Sequence, residues 1–253
     1  MLLCISVAGD DTALGVFDGD RLQARWRVST LVRRTADEWR LLLGGLVTGR
    51  VDGVSTCSTV PAALAELRTV LAIHYADVPC VIVEPGVRTG LKLATDNPRE
   101  IGADRILNAL AASRLHGAPC IAVGFGLATT YDVVNPLGEY VGGAIGPGIG
   151  LSLEALGRAG AQLRHVELTR PRSAIARNTV EALQSGAIFG AAGQFEGIVR
   201  RMADELGVER HRVTVVATGP LAEVVLADCD GVDVHDPWLT LRGLRLAHER
   251  AGV

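Results

Sequence analysis

The sequence predicts an α/β protein built from two similar halves, residues 1–115 and 116–253, and three observations carry that expectation. The first thirty residues read as three short strands, 2–7, 13–17 and 22–28, joined by turns at Gly9-Asp10-Asp11 and Asp18-Gly19-Asp20. The same pattern returns at 120–123, 130–134 and 140–145, an offset of about 118 residues that sets Ser6 opposite Gly124 and Thr12 opposite Thr130. Each three-strand opening is followed by helical segments and further strands, the rhythm of a sheet flanked by helices.

The elements follow in order. Thr35-Ala36-Asp37-Glu38 has the spacing of a capping box and predicts a helix start ahead of Trp39, Leu42, Leu43 and Leu46. Residues 51–55 and 79–83 read as buried strands around an Ala- and Leu-rich helix over 62–75. Asn97, Pro98 and Glu100 read as a helix start, which would place Asp104 on or just beyond the first turns. In the second half Asn178-Thr179-Val180-Glu181 signals another cap before a long helix, 213–217 reads as a strand, and 240–250 as a closing helix. The small residues Ala187, Gly190, Ala191, Ala192 and Gly193 predict close helix packing, inside the domain or across a dimer.

Composition narrows the function classes. With 253 residues, 48% hydrophobic and 21% charged, the chain can bury a core without staples. A net charge of −3 with interspersed arginines gives no basic stripe for nucleic acid. The five cysteines (Cys4, Cys57, Cys80, Cys120, Cys229) are widely spaced and read as buried free thiols of a reducing compartment. No apolar run reaches about 18 residues, so a membrane role is not expected and a cytoplasmic location is.

Two repeated halves, each opening on a tight turn between its first two strands, describe the duplicated actin and sugar-kinase-like plan, whose halves are ribonuclease H-like. In that architecture the nucleotide lies in a cleft between the halves. Fold alone does not give function, so the residues must.

The stretch Asp96-Asn97-Pro98-Arg99-Glu100-Ile101-Gly102-Ala103-Asp104-Arg105 closely resembles the type III pantothenate kinases. Phe17-Asp18-Gly19-Asp20-Arg21-Leu22, Pro85-Gly86-Val87-Arg88-Thr89-Gly90, Gly142-Gly143-Ala144-Ile145, Pro147-Gly148 and Leu239-Thr240-Leu241-Arg242-Gly243-Leu244 resemble the family in order and spacing. The resemblance implies transfer of the ATP γ-phosphoryl to pantothenate in coenzyme A synthesis. It implies Asp104 as the base, although Asp104 on its own reads as an ion-pair partner of a nearby arginine. Arg105 is implied as the grip on the pantothenate carboxylate, with Gly86, Arg88, Gly90, Gly102 and Thr179 completing that pocket. The ATP site would comprise Ser6, Gly9, Asp10 and Thr12 of the first turn, Gly126, Thr129 and Thr130 of the second, and Gly219 near the adenosine. The family also implies a homodimer, Mg·ATP, and a monovalent cation, potassium or ammonium, with the metal ligands left unassigned.

The ATP side departs from the family pattern. Where the family reads Asp-x-Gly-Asn-Thr-x-Thr, this chain has Ser6-Val7-Ala8-Gly9-Asp10-Asp11-Thr12. Where it reads Asp-Phe-Gly-Thr-Ala-Thr-Thr, this chain has Gly124-Phe125-Gly126-Leu127-Ala128-Thr129-Thr130. Pro220 in Thr218-Gly219-Pro220 removes a backbone N–H, Thr95 replaces a common tyrosine, and Gly146 stands where alanine is usual. The sequence therefore predicts a type III pantothenate kinase-like protein with an impaired ATP site; if it is active, Asp10 or Asp11 is a candidate to take over metal coordination. The alternatives are a non-catalytic homologue serving as regulator or partner subunit, and a kinase with another acceptor.

Overall fold

The computed structural model describes residues 1–160 and 166–252. Packing divides the chain into two units, Met1–Ala111 joined by the C-terminal segment from Trp238, and Ala112–Pro237.

The first unit opens with β1 (Leu2–Val7), β2 (Asp11–Asp18) and β3 (Arg21–Ser29), then α1 (Ala36–Leu46), β4 (Gly53–Ser58), α2 (Pro61–His74), β5 (Cys80–Ile82) and the short β6 (Lys92–Leu93). A 3₁₀ turn, Pro98–Glu100, precedes α3 (Ala103–His116). The sheet order is β3-β2-β1-β4-β5, with the hairpin strands antiparallel and β4 and β5 parallel to β1. Alternation along β1 sorts the two faces. Leu3, Ile5 and Val7 pack with Trp39 and Leu43 of α1 and Leu67 and Val70 of α2. Cys4 packs on the opposite face with Leu107 and Leu110 of α3.

The second unit repeats the plan with β7 (Cys120–Phe125), β8 (Ala128–Val134), β9 (Glu139–Pro147), α4 (Ile149–Ala159), α5 (Thr179–Glu205), β10 (Thr214–Thr218), α6 (Ala222–Leu226) and β11 (Val234–His235). Its strands run in the order β9-β8-β7-β10-β11, the same succession as in the first unit. The β7 and β9 ranges are those of β1 and β3 displaced by about 118 residues, so the repeat seen in the sequence is a repeat of topology. Ile121, Val123, Phe125, Tyr131 and Val133 form one core with Ile188, Phe195 and Val199 of α5.

The last helix, α7 (Leu239–Ala251), returns to the first unit and buries Leu241 and Leu244 against Cys4, Phe17 and α3. The sequence reading ran the second half to residue 253, but α7 completes the first sheet's second face. Gly243 is the reason it can sit so close: a Cβ there would lie 2.3 Å from the Leu107 carbonyl oxygen. Thr240 Oγ1 donates to Asn108 Oδ1 of α3 at 2.7 Å, and Ser55 Oγ donates to the Leu244 carbonyl at 2.9 Å.

Local signals are realised in detail. Both bonds of the Thr35 capping box form, and the Asn178 side chain accepts from Glu181 N–H at the start of α5. The helix start read at Asn97 is corrected to a separate 3₁₀ turn, with α3 beginning at Ala103 and Asp104 in its first turn. Cys80 corrects the reading of five buried thiols, because it lies exposed on the edge strand β5. In α5 Ala192 is buried in the unit's own core, whereas Cβ atoms built at Gly190 and Gly193 would meet nothing.

Candidate functional site

In the first unit the register of β1 against β4 puts Ser6 beside Cys57, and the Cys57 thiol donates to Ser6 Oγ at 3.5 Å. Burial pushes the Cys57 thiol up to about 12, with the Ser6 bond opposing and the Asp104 carboxylate adding to the rise. Ser6, Cys57 and Asp104 are thus one group, formed by the ends of β1 and β4 and the start of α3. Sequence reasoning named Ser6 and Asp104 and missed Cys57, because the parallel register that joins them leaves no local trace.

Asp104 is half-buried, and its carboxyl lies above the usual carboxylate range. Desolvation is the main cause; N–H donation from Arg105 and from its own backbone opposes it, as does the Arg105 charge. Gly102 makes room for this arrangement, since a Cβ there would come within 2.6 Å of Asp104 Oδ1. A carboxylate with a raised pKa beside a helix start suits proton acceptance from an alcohol. Arg105, the next residue on α3, is half-buried.

The loop 84–90 carries Gly86 and Gly90, both in the left-handed region at φ +97° and +87°. Arg88 is exposed, Thr89 is buried, and Gly90 packs against the Arg250 side chain of α7.

The β1–β2 turn places Gly9 and Asp10 in solvent. Asp11 turns the other way, forming an ion pair with Arg27 of β3. Burial raises its carboxyl pKa, and Arg27 pulls it back. The expectation that Asp11 replaces a lost metal ligand is therefore corrected: the structure gives its carboxylate to an arginine. Thr12 is fully buried and shares a 2.9 Å hydrogen bond with Thr30, the residue just after β3.

In the second unit three glycines meet at the end of β7. Gly126 closes the β7–β8 turn with an N–H bond to the Ala128 carbonyl at 3.1 Å. Gly148, ahead of α4, donates to the Leu127 carbonyl at 3.0 Å, and a Cβ on it would lie 2.1 Å from the Gly126 oxygen. Gly219 has φ +98°, and its Cβ would lie 2.4 Å from the Phe125 oxygen. The result is close backbone packing of the β7–β8 turn and Gly219 against the start of α4, whose N-cap Gly148 has no side-chain cap. Thr129 is buried and Thr130 half-buried in β8, where Thr130 pairs with Gly124. Leu127 stands in solvent at the tip. A second residue that sequence reasoning left out is Gly148, although the Pro147-Gly148 pair is part of the resemblance. Thr179 lies exposed at the first position of α5.

No cluster of three or more His, Cys, Asp or Glu side chains suited to a metal occurs among the described residues.

Two solved structures share this fold over nearly their full lengths. The (R)-2-hydroxyglutaryl-CoA dehydratase component A of Acidaminococcus fermentans superposes with a TM-score of 0.56, at 13% identity, over 100% of this chain and 99% of its own. A ROK hexokinase of Thermus thermophilus gives 0.51, at 15% identity, over 100% and 99%. With the duplicated sheets, they define the fold class: a duplicated actin and sugar-kinase-like α/β protein. A model of the type III pantothenate kinases matches residues 2–201. The type III pantothenate kinase of Thermobifida fusca is 55% identical over 99% of both chains, and that of a Nocardioides species 57% identical over 98% of both. This chain belongs to the type III pantothenate kinase family. Among the described residues no helix is long and apolar enough to cross a membrane.

Proposed function

We propose that this chain transfers the γ-phosphoryl of Mg·ATP to the primary hydroxyl of pantothenate, the first step of coenzyme A synthesis, through an ATP site weakened by its own substitutions. The observation that carries the reading is Asp104: a carboxylate on the first turn of α3, raised in pKa by burial and grouped with Ser6 and Cys57. Asp104 takes the hydroxyl proton as the phosphoryl group departs, and Arg105 holds the pantothenate carboxylate. Gly86, Arg88, Gly90, Gly102 and Thr179 complete the acceptor pocket. Gly9 and Asp10 approach the phosphates from the first turn. By resemblance to the family, Gly126, Thr129, Thr130 and Gly219 serve the phosphates in the second unit, as Ser6 and Thr12 do in the first, and a loose phosphoryl-transfer transition state draws its stabilisation from positioned donors of this kind.

The weakness of the ATP site has a physical basis in Asp10. An unscreened carboxylate about 4 Å from phosphate costs on the order of 1 to 4 kcal/mol. Assembly as a homodimer, dependence on potassium or ammonium, and a cytoplasmic location belong to the same proposal. ADP release measured with and without pantothenate tests it, with pantothenate-dependent release at a high KM for Mg·ATP as the expected result.

A second reading, a non-catalytic homologue that keeps the acceptor pocket as a regulator or partner subunit, is favoured by the second turn. There Gly124 offers no acid, Leu127 offers no hydroxyl, and Pro220 offers no N–H. Calorimetric titration separates the readings, because the second predicts pantothenate binding without Mg·ATP binding.

A further inference from the structure

The β1–β2 turn is fastened by more than its hairpin. Ala8 N–H donates to the Asp11 carbonyl at 2.9 Å and Thr30 N–H to the Asp10 carbonyl at 3.1 Å. Asp11 N–H donates to Asp10 Oδ1 at 3.0 Å. Among the described residues the Gly9 and Asp10 N–H groups have no protein acceptor, so they are the donors the turn offers to an anion.

Behind the turn runs a chain of side chains. The Asp11 carboxylate pairs with the Arg27 guanidinium, whose Cζ stands 4.9 Å over the Trp238 ring, with Arg25 Cζ at 5.7 Å from the same ring. Trp238 is the N-cap of α7 and the first residue of the chain on its return to the first unit. Three side chains therefore link the turn, the edge strand β3 and the start of α7.

We propose that Asp11 is a positioning residue: acting through Arg27 and Trp238, it fixes the β1–β2 turn so that the Gly9 and Asp10 N–H groups point to one place. The inference rests on reading this turn as a nucleotide turn. The pair is well placed for the task. With its side chain 17% exposed, Asp11 is screened less than a surface acid, and a charge-assisted bond to a guanidinium that also lies over an indole is held in one geometry. The strands have ladders of their own, β1 on β2 and β2 on β3. What the pair adds is order in the three residues between β1 and β2. It also turns a negative charge away from any bound phosphate and neutralises it.

The test compares wild type with Asp11→Asn, Arg27→Met and, as control, Arg25→Met, which touches the ring but not Asp11. Hydrogen exchange of peptides covering residues 8–12 is expected to quicken about tenfold in Asp11→Asn and Arg27→Met and to stay at the wild-type rate in Arg25→Met. The KM for Mg·ATP is expected to rise about tenfold in the first two with kcat within about twofold, a split that general destabilisation does not produce. Unchanged exchange overturns the proposal, and so does faster exchange with an unchanged KM. Absence of Mg·ATP turnover in the wild type would instead sink the kinase reading, while the exchange rates would still decide whether Asp11 holds the turn.

Discussion

As the proposed base, Asp104 comes at a cost to stability. Burial raises its folded pKa above the unfolded value, so the native state binds the proton more tightly than the unfolded chain does. Its contribution to stability is therefore greatest at acid pH and falls as pH rises through the window between the two values. Asp104→Asn is expected to melt with wild type near pH 4 and above it by pH 7, in thermal scans across that range. The same raised pKa sets the acid limb of kcat/KM, which is expected above the ordinary carboxylate value. At the first turn, Asp10 is exposed and its Oδ1 only accepts a bond from Asp11 N–H, which an asparagine oxygen can also accept. Asp10→Asn is expected to lower the KM for Mg·ATP several-fold without changing the melting midpoint, the range that removing one exposed like charge allows. These assignments divide cleanly by legibility. Asp104, Gly102 and Arg105 sit in one contiguous motif and could be read from the sequence. The partners of Asp11 and Thr12 could not, because Arg27 and Thr30 reach them only through the hairpin register of β2 on β3.

Elements were legible where their signals are local. The Thr35 box, the Asn178 cap and the alternation of β1 need only neighbouring residues, and all three form. The start of α3 was placed too early because Pro98 and Glu100 satisfy the rules for a first turn, yet the chain spends them on a 3₁₀ turn before Gly102. Close approach between elements is what local signals cannot report. Gly243→Ala would drive a Cβ into the Leu107 backbone of α3, and overpacking of this kind costs about 1–3 kcal/mol, read as a lower denaturant midpoint. Gly219→Ala combines a left-handed φ with a Cβ against Phe125, so loss of nucleotide binding should accompany its destabilisation. The reverse holds in α5. A Cβ at Gly190 meets nothing, so Gly190→Ala should stabilise the chain by about 0.5–1 kcal/mol.

At the scale of the molecule the duplication was plain in the sequence, because an offset of about 118 residues repeats both the strands and their turns. The return of α7 was not, since no composition shift marks residue 238 and only packing on β1 and α3 assigns the helix to the first unit. Membership of the type III pantothenate kinase family follows from the chain as a whole, at 55% identity to the Thermobifida fusca kinase. Whether the family's chemistry survives rests on the two turns proposed to meet the phosphates, where one unit carries Ser6 and Asp10 and the other Gly124 and Leu127. The most direct measurement is coupled ADP release by wild type and Asp104→Asn with Mg·ATP, with and without pantothenate. The account predicts pantothenate-dependent release in the wild type and its loss in an equally folded Asp104→Asn. Pantothenate binding with neither Mg·ATP binding nor ADP release would contradict it, leaving a ligand-binding homologue without catalysis.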